Sequence, residues 1–194
     1  MALLQLISAL GKNDARLIRR DSFLLLLFGI VIVMGIGVGY AMPWLEGVLI
    51  DKGILPNESI DLRLADVYPM LMAYFTLFQG ATIAGTIFGF MLLDEKDNDT
   101  LLAMRVTPVP MERYLSYRVA VPTACALVFI PVLYQLIGLA PIAPWQLALL
   151  TLGGALAAPL TTLFFAIVAT NKVQGFAMSK CVSVAGWILI GGWF

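Results

Sequence analysis

The chain has 194 residues, of which 61% are hydrophobic and 12% are charged. A soluble globular domain is roughly 45 to 50% apolar and about 25% charged, so this composition excludes a water-facing surface over most of the chain. The absence of histidine from the sequence also excludes histidine-dependent general-base catalysis and HExxH zinc sites. The composition therefore predicts a membrane protein, and the apolar stretches described below predict that it is all-α and polytopic.

The first 22 residues alternate apolar side chains with basic ones, including Lys12, Arg16, Arg19 and Arg20. We interpret residues 1–22 either as an amphipathic cytoplasmic helix in the membrane interface or as an N-terminus that simply follows the positive-inside rule. A cleaved signal peptide fits less well, because the apolar run that follows has about 20 residues where a signal peptide has about 7 to 15.

Four stretches are long and apolar enough to cross a membrane as helices, namely 23–43, 68–93, 119–139 and 145–170. A fifth stretch, 181–194, would give about 21 Å of helix, which is short of the roughly 30 Å hydrocarbon core. We expect the chain to stop within a fifth span, the alternative being a re-entrant or interfacial segment. Residues 1–194 are thus predicted to form one transmembrane domain with four complete spans and an incomplete fifth.

Basic residues concentrate on one side of this topology. Ten of the twelve lie in the N-terminal segment, in the connection after the second span and in the connection after the fourth. Because Lys and Arg are retained in short cytoplasmic connections, the pattern predicts a cytoplasmic N-terminus in a multi-pass protein of the cell membrane.

The apolar stretches carry small residues, prolines and a few uncharged polar groups. Ala81, Gly85 and Gly89 recur at four-residue spacing and predict a helix-packing face, while Pro122, Pro131 and Pro159 are expected to kink their helices.

Charged residues are absent from these stretches, which argues against a proton-driven carrier. We interpret the polar groups as hydrogen-bonding partners between helices; they are Gln79, Thr82, Thr86, Tyr134, Gln135, Thr161 and Thr162. The two cysteines, Cys125 and Cys181, are interpreted as small buried hydrophobic residues.

The connection 94–118 is organised as more than a loop. Its acidic start allows Asp99 or Thr100 to cap a short helix with one apolar side, and Pro108 and Pro110 end that helix. Two interpretations remain open: a helix lying on the membrane surface, or a docking element for a cytoplasmic partner.

These residues carry a resemblance to a known family. The runs LDEKDNDTL (93–101) and MRVTPV (104–109) resemble a signature of ABC-2 type ABC transporter permeases, in which this segment forms cytoplasmic helices that contact the ATPase subunit. The runs YLSYR (114–118) and NKVQGFAMSK (171–180) resemble the drug-export branch, the fluoroquinolone export permeases. Family members have six spans, and both of their termini are cytoplasmic.

The resemblance implies the membrane-spanning permease subunit of an ATP-driven exporter for a hydrophobic or amphipathic, drug-like substrate. The sequence contains no GxxxxGK[ST] phosphate-binding loop, so ATP hydrolysis is expected on a separate cytoplasmic ATP-binding subunit and the chain is not expected to be an enzyme. A second permease subunit, as homodimer or heterodimer, and membrane lipid are the other expected partners; nucleic acid, metals and cofactors are not expected. The implied contact set for the ATPase subunit is Glu95, Thr100, Leu101, Met104, Arg105 and Thr107.

Two other functions are weighed against this one. A non-catalytic membrane scaffold or channel-forming protein is compatible with uncharged spans. A metal-dependent membrane lipid enzyme would need a divalent ion on Asp94, Glu95, Asp97 and Asp99, but helix capping explains that cluster more simply.

Overall fold

The computed structural model describes residues 3–53, 64–98 and 110–192. Within these ranges every regular element is helical, which confirms the predicted all-α class. The elements are α1 (Leu3–Arg20), α2 (Ser22–Asp51), α3 (Leu64–Ala73), a π-helical segment (Tyr74–Gln79), α4 (Gly80–Asp97), α5 (Met111–Ile137), α6 (Pro144–Ala155), α7 (Ala157–Val168) and α8 (Lys172–Gly191).

Four helical stretches are long and apolar enough to cross a membrane: Ser22–Asp51, Val67–Asp97, Met111–Ile137 and Pro144–Val168. They correspond to the four predicted spans and confirm a polytopic helical bundle. In the apolar 18-residue stretch of the second span, 72% of the residues are buried, against 17 to 33% in the corresponding stretches of the other three spans. The second span is therefore the central helix of the bundle.

The central helix α4 approaches α7 most closely at its small residues. A Cβ atom on Gly85 would lie 2.4 Å from the carbonyl oxygen of Ala158, and a Cβ on Gly89 would lie 2.9 Å from the Cβ of Phe165. Ala81 is fully buried beside them. The predicted packing face Ala81, Gly85 and Gly89 thus lies in the core, with its two glycines directed at α7, where a larger side chain would push the helices apart.

A hydrogen bond between helices accompanies this close approach. Thr162 Oγ donates toward the carbonyl oxygens of Gly85 on α4 and Ala158 on its own helix, each at 3.0 Å. By contrast, Thr86 and Thr161 bond to carbonyls within their own helices. The interpretation of the spans' polar groups as interhelical partners therefore holds for Thr162 and fails for these two threonines, whose own backbone offers a nearer acceptor.

Local departures from the predicted helices have identifiable causes. The fourth span breaks into α6 and α7 at Leu156, because Pro159 has no N–H to bond the carbonyl of Ala155. Pro122 and Pro131 lie within α5 without interrupting it. The π-helical segment in the second span was not predicted.

Helix α8, which contains the predicted fifth span, begins nine residues earlier than expected. The sequence predicts a connection over 171–180 and a partial span from Cys181, but α8 already starts at Lys172. Asn171 Oδ1 accepts from the backbone N–H of Gln174 over 2.9 Å, and this cap initiates a helix in a polar stretch. Cys181 is exposed and Cys125 is half-buried, so the expectation of burial is wrong for Cys181.

Candidate functional site

Glu95 and Arg118 join the two ends of the connection between the second and third spans. Glu95 lies in the last turn of α4, and Arg118 lies two turns into α5. Arg118 Nη2 donates to Glu95 Oε1, and the Tyr114 hydroxyl donates to Glu95 Oε2. Arg118 Nε also donates to the Tyr114 hydroxyl over 2.9 Å. These three side chains therefore hold the two ends of the connection together, and we call this region the base of the connection.

Asp14 of α1 binds the same guanidinium. Arg118 Nη1 donates to Asp14 Oδ2 over 3.1 Å, and the Tyr117 hydroxyl donates to the same oxygen over 2.8 Å. Arg118 and Asp14 are only 2% and 3% exposed, so water solvates them little. We call these five residues, Asp14, Glu95, Tyr114, Tyr117 and Arg118, the Arg118 cluster. The cluster holds the amphipathic helix α1 against the base of the connection.

The Arg118 cluster contains two carboxylates and one guanidinium. Asp14 Oδ1 is buried and has no hydrogen-bond partner within the part of the chain that the structure describes. Burial raises the pKa of Asp14 above its ordinary value, and this effect outweighs the attraction of Arg118 and the hydrogen bond from Tyr117, which both lower it. A buried charge is costly unless it is fully paired, so this carboxylate is the least well compensated group of the cluster.

A second, more exposed set of ion pairs lies beside the first. Lys172 at the start of α8 binds Asp94 Oδ2 at 2.6 Å and Asp21 Oδ2 at 3.2 Å. Asp21 also caps α2, because its Oδ1 accepts from the backbone N–H of Phe23 over 2.9 Å. Lys172 thereby joins the beginnings of α2 and α8 to the end of α4.

The titration of these groups follows from their contacts. Burial alone would raise the pKa of Asp21, but the hydrogen bonds from Lys172 and Phe23 lower it below its ordinary value. Burial alone would lower the pKa of Lys172, but the bonds to Asp94 and Asp21 raise it. Both shifts favour the charged forms that make the ion pair.

The positions of the acids explain why they need these partners. Asp94, Glu95 and Asp97 occupy the last turn of α4, where the carbonyl ends of the helix dipole repel negative charge. Arg118 and Lys172 supply the compensating cations from neighbouring helices. The ion pairs with Arg118 and Lys172 therefore stabilise the end of α4.

Of the six predicted ATPase contacts, the structure describes only Glu95. Its carboxylate is half-buried and directed at Arg118 and Tyr114, so within this chain it anchors the connection. The other five lie outside the described residues; they are Thr100, Leu101, Met104, Arg105 and Thr107.

Two acids of the run at the end of α4 form ion pairs. Asp94 binds Lys172 and Glu95 binds Arg118, while Asp99 lies outside the described ranges. Across residues 3–53, 64–98 and 110–192, no three His, Cys, Asp or Glu side chains are grouped so that they could hold a metal ion.

Sequence reasoning missed four members of the Arg118 cluster. Tyr114, Tyr117 and Arg118 belong to the run YLSYR, which contributes to the family resemblance without a predicted structural role, although their spacing places the three side chains on one helix face. Asp14 carries a weaker signal, since it is an acidic residue within a basic amphipathic segment. Neither signal identifies the partner helix.

The sequence is similar to known export permeases. A family model described as fluoroquinolones export permease protein Rv2686c-like matches residues 14–194. Two curated relatives come from Mycobacterium tuberculosis: fluoroquinolones export permease protein Rv2686c of strain ATCC 25618 / H37Rv, and fluoroquinolones export permease protein MT2760 of strain CDC 1551 / Oshkosh. Each is 29% identical over 195 residues, which covers 96% of this chain and 75% of the relative.

No solved structure matches the chain. The resemblance noted in the sequence is nevertheless confirmed, because the family model spans both sides of the Arg118 cluster and all four membrane-crossing stretches. The chain belongs to the Rv2686c-like family of fluoroquinolones export permeases.

Proposed function

We propose that this membrane permease is the translocating subunit of an ATP-driven exporter of the ABC-2 type, and that a separate ATPase subunit drives it through the connection 94–118. The Arg118 cluster is the observation that carries the proposal. It ties both ends of the connection to each other and to α1, so a displacement of the connection is passed to three helices at once.

The mechanical route follows the contacts. Glu95 lies in the last turn of the central helix α4, which packs along α7 through Gly85 and Gly89. Arg118 lies on α5, whose continuation forms the third span. An ATPase dimer that closes on ATP binding would therefore push on α4 and α5 together, and rigid helices transmit such a movement across the bilayer.

The ATPase contact set is proposed from the resemblance of the connection to the family signature. Leu101 and Met104 are its apolar contact residues, and Thr100 is its helix cap. Arg105 forms an ion pair with an acidic residue of the ATPase. Thr107 is the last member of the set in the sequence. Glu95 takes part through its anchoring of the connection, because its carboxylate already binds Arg118.

The remaining features of the proposal concern substrate, assembly and orientation. The two relatives are named as exporters of fluoroquinolones, and apolar spans suit amphipathic drug-like molecules taken from the bilayer. Two permease subunits, identical or different, would form the translocation path in the cell membrane. The N-terminus and the connection 94–118 would then face the cytoplasm, as the distribution of basic residues favours.

The experiment starts from affinity purification of the full chain from membranes and identification of any copurifying ATPase with Walker motifs. The complex is reconstituted in lipid vesicles, and stimulation of its ATPase activity by fluoroquinolone is measured for wild type, Leu101→Asp and the conservative control Leu101→Met. We expect Leu101→Asp to abolish stimulation while membrane insertion is unchanged, and Leu101→Met to retain it. Full stimulation in Leu101→Asp, or the absence of any ATPase partner, contradicts the proposal.

A further inference from the structure

An open groove runs along the outside of the bundle between α2 and α5. Its volume is about 670 Å³, and nearly all of its lining comes from one face of α5, with Phe28 contributed by α2. The α5 residues that line it recur three or four positions apart, from Arg113 at one end to Val132 at the other. The groove is separate from the Arg118 cluster except at Tyr117, which borders both.

The floor of the groove is made of small side chains. Ser116, Ala120 and Ala124 follow one another at four-residue spacing, and all three are exposed. Phe28 and Phe129 pack edge to face across the groove, with ring centroids 5.4 Å apart. From Arg113 to Phe129 the helix rises about 24 Å at 1.5 Å per residue, which is close to the roughly 20 Å of one bilayer leaflet with its headgroups.

Positive charge lies at one end of the groove. Arg113 lines it there, is exposed and makes no ion pair with any residue in the described ranges. Helix α1 lies at the same end, since Tyr117 binds Asp14, and α1 exposes the basic side chains of Lys12 and Arg16. A juxtamembrane Lys or Arg attracts anionic lipid by about 1 kcal/mol.

We propose that this groove binds one anionic phospholipid from the leaflet on the side of the N-terminus. Its phosphate lies against Arg113, and one acyl chain lies over Ser116, Ala120 and Ala124. Charge complementarity selects this occupant over a transmembrane helix, because a helix seated on the same small residues would need an acid opposite Arg113, whereas a phospholipid brings its own phosphate. The assignment is independent of the substrate and of the ATPase.

The test counts bound lipids on the purified full-length protein by native mass spectrometry. Phosphatidylglycerol and phosphatidylcholine with identical acyl chains are titrated onto the delipidated protein. For Arg113→Gln we expect about fivefold weaker binding of the first phosphatidylglycerol and unchanged binding of phosphatidylcholine. Arg20→Gln removes the same charge from an exposed position of α1, and we expect a smaller loss from this control.

A second pair of variants tests the floor of the groove. Ala124→Phe fills the groove and is expected to weaken the binding of the first phosphatidylglycerol about tenfold. Ala148→Phe on the exposed face of α6 is expected to leave this binding unchanged. Equal losses in Arg113→Gln and Arg20→Gln overturn the proposal, since they indicate diffuse attraction to the basic surface. A change of oligomeric state in Ala124→Phe with unaltered lipid counts also overturns it, in favour of a second copy of the chain.

Discussion

Arg118 and Asp14 form an ion pair over 3.1 Å although they are separated by 104 positions in the sequence and both are almost fully buried. The same guanidinium binds Glu95 through its other terminal nitrogen. Three of its nitrogens are therefore used at once, in the fork geometry that distinguishes Arg from Lys. Helices α1, α4 and α5 meet at this one side chain.

Replacement of Arg118 by Gln is expected to destabilise the protein by roughly 3 to 5 kcal/mol, because it leaves the buried carboxylate of Asp14 and the half-buried carboxylate of Glu95 without a cation. The measurement is the thermal unfolding midpoint of purified protein in detergent. Arg113→Gln is the matched control: it removes the same charge from an exposed site on the same helix and is expected to change stability by less than about 0.5 kcal/mol. Equal midpoints for the two variants would show that the Arg118 cluster does not contribute to stability.

Gly85→Ala is expected to destabilise by roughly 1 to 3 kcal/mol through overpacking. The added methyl would lie 2.4 Å from the carbonyl oxygen of Ala158 and 2.6 Å from the Cβ of Thr161, and neither atom can yield without moving α7. Gly153→Ala is the control, because no atom beyond the adjoining backbone of its own helix lies within 4 Å of its added Cβ; it is expected to be neutral or stabilising through higher helix propensity. Both variants are compared by their unfolding midpoints, and a harmless Gly85→Ala would rule out the tight contact between α4 and α7.

The spans could be predicted from the sequence because their signal is local. About 20 consecutive apolar residues suffice to identify a membrane-crossing helix, and the four stretches agree with the helices found. The π-helical segment Tyr74–Gln79 has no such local signal. It lies where Tyr74 stacks on Phe78 and contacts Trp187 of α8, so it depends on packing between distant parts of the chain.

The site was predictable only in part, for a related reason. The resemblance points to Glu95 as an ATPase contact but not to its pairing with Arg118. Asn171 and Gln174, on either side of Lys172, have the spacing of a helix cap, whereas the sequence predicts a connection there. The partners of these groups could not be assigned, because Asp14, Glu95 and Arg118 come from three helices whose arrangement is decided by core packing. Hydropathy also counts a buried Arg and an exposed Arg alike.

Lys172→Gln is expected to cost at most about 1 kcal/mol, since the side chain is 36% exposed and its ion pairs are screened by water. The cost should shrink in 1 M salt, where the screening length is about 3 Å. Because the pKa of Asp21 is lowered, the pair contributes fully above the ordinary value of 3.8 and is lost as the pH falls through the folded-state pKa. Unfolding midpoints at two salt concentrations and two pH values check both dependences.

Lys180→Gln is the control for this variant, because Lys180 lies on the same helix, its ammonium group lies over the ring of Phe176, and it forms no ion pair with the residues that the structure describes. The change in the free energy of unfolding caused by Lys180→Gln should be the same at both salt concentrations within about 0.5 kcal/mol. A Lys172→Gln cost that persists unchanged in 1 M salt would mean that packing of the side chain, and not its charge, supports α8.

Asp14→Asn is expected to raise stability at pH 7 and to change its pH dependence in the opposite direction from the Lys172 pair. The pKa of Asp14 is raised, so the folded state takes up a proton at a pH where the unfolded state does not. Wild-type stability therefore gains from this group as the pH falls through the folded-state pKa toward 3.8. Asn resembles the protonated carboxyl and accepts the bonds from Tyr117 and Arg118, so it should provide that gain at every pH.

The measurement compares unfolding midpoints of wild type and Asp14→Asn between pH 4 and pH 7.5 at constant ionic strength. The variant should be the more stable protein at pH 7, and the difference should narrow as the pH falls, because only the wild type still has a proton to bind. Arg118 remains paired with Glu95 in the variant, so no buried cation is left alone. A variant that is less stable at pH 7 would show that attraction by Arg118 exceeds the cost of burying Asp14, and that the carboxylate is ionised and stabilising in the folded protein.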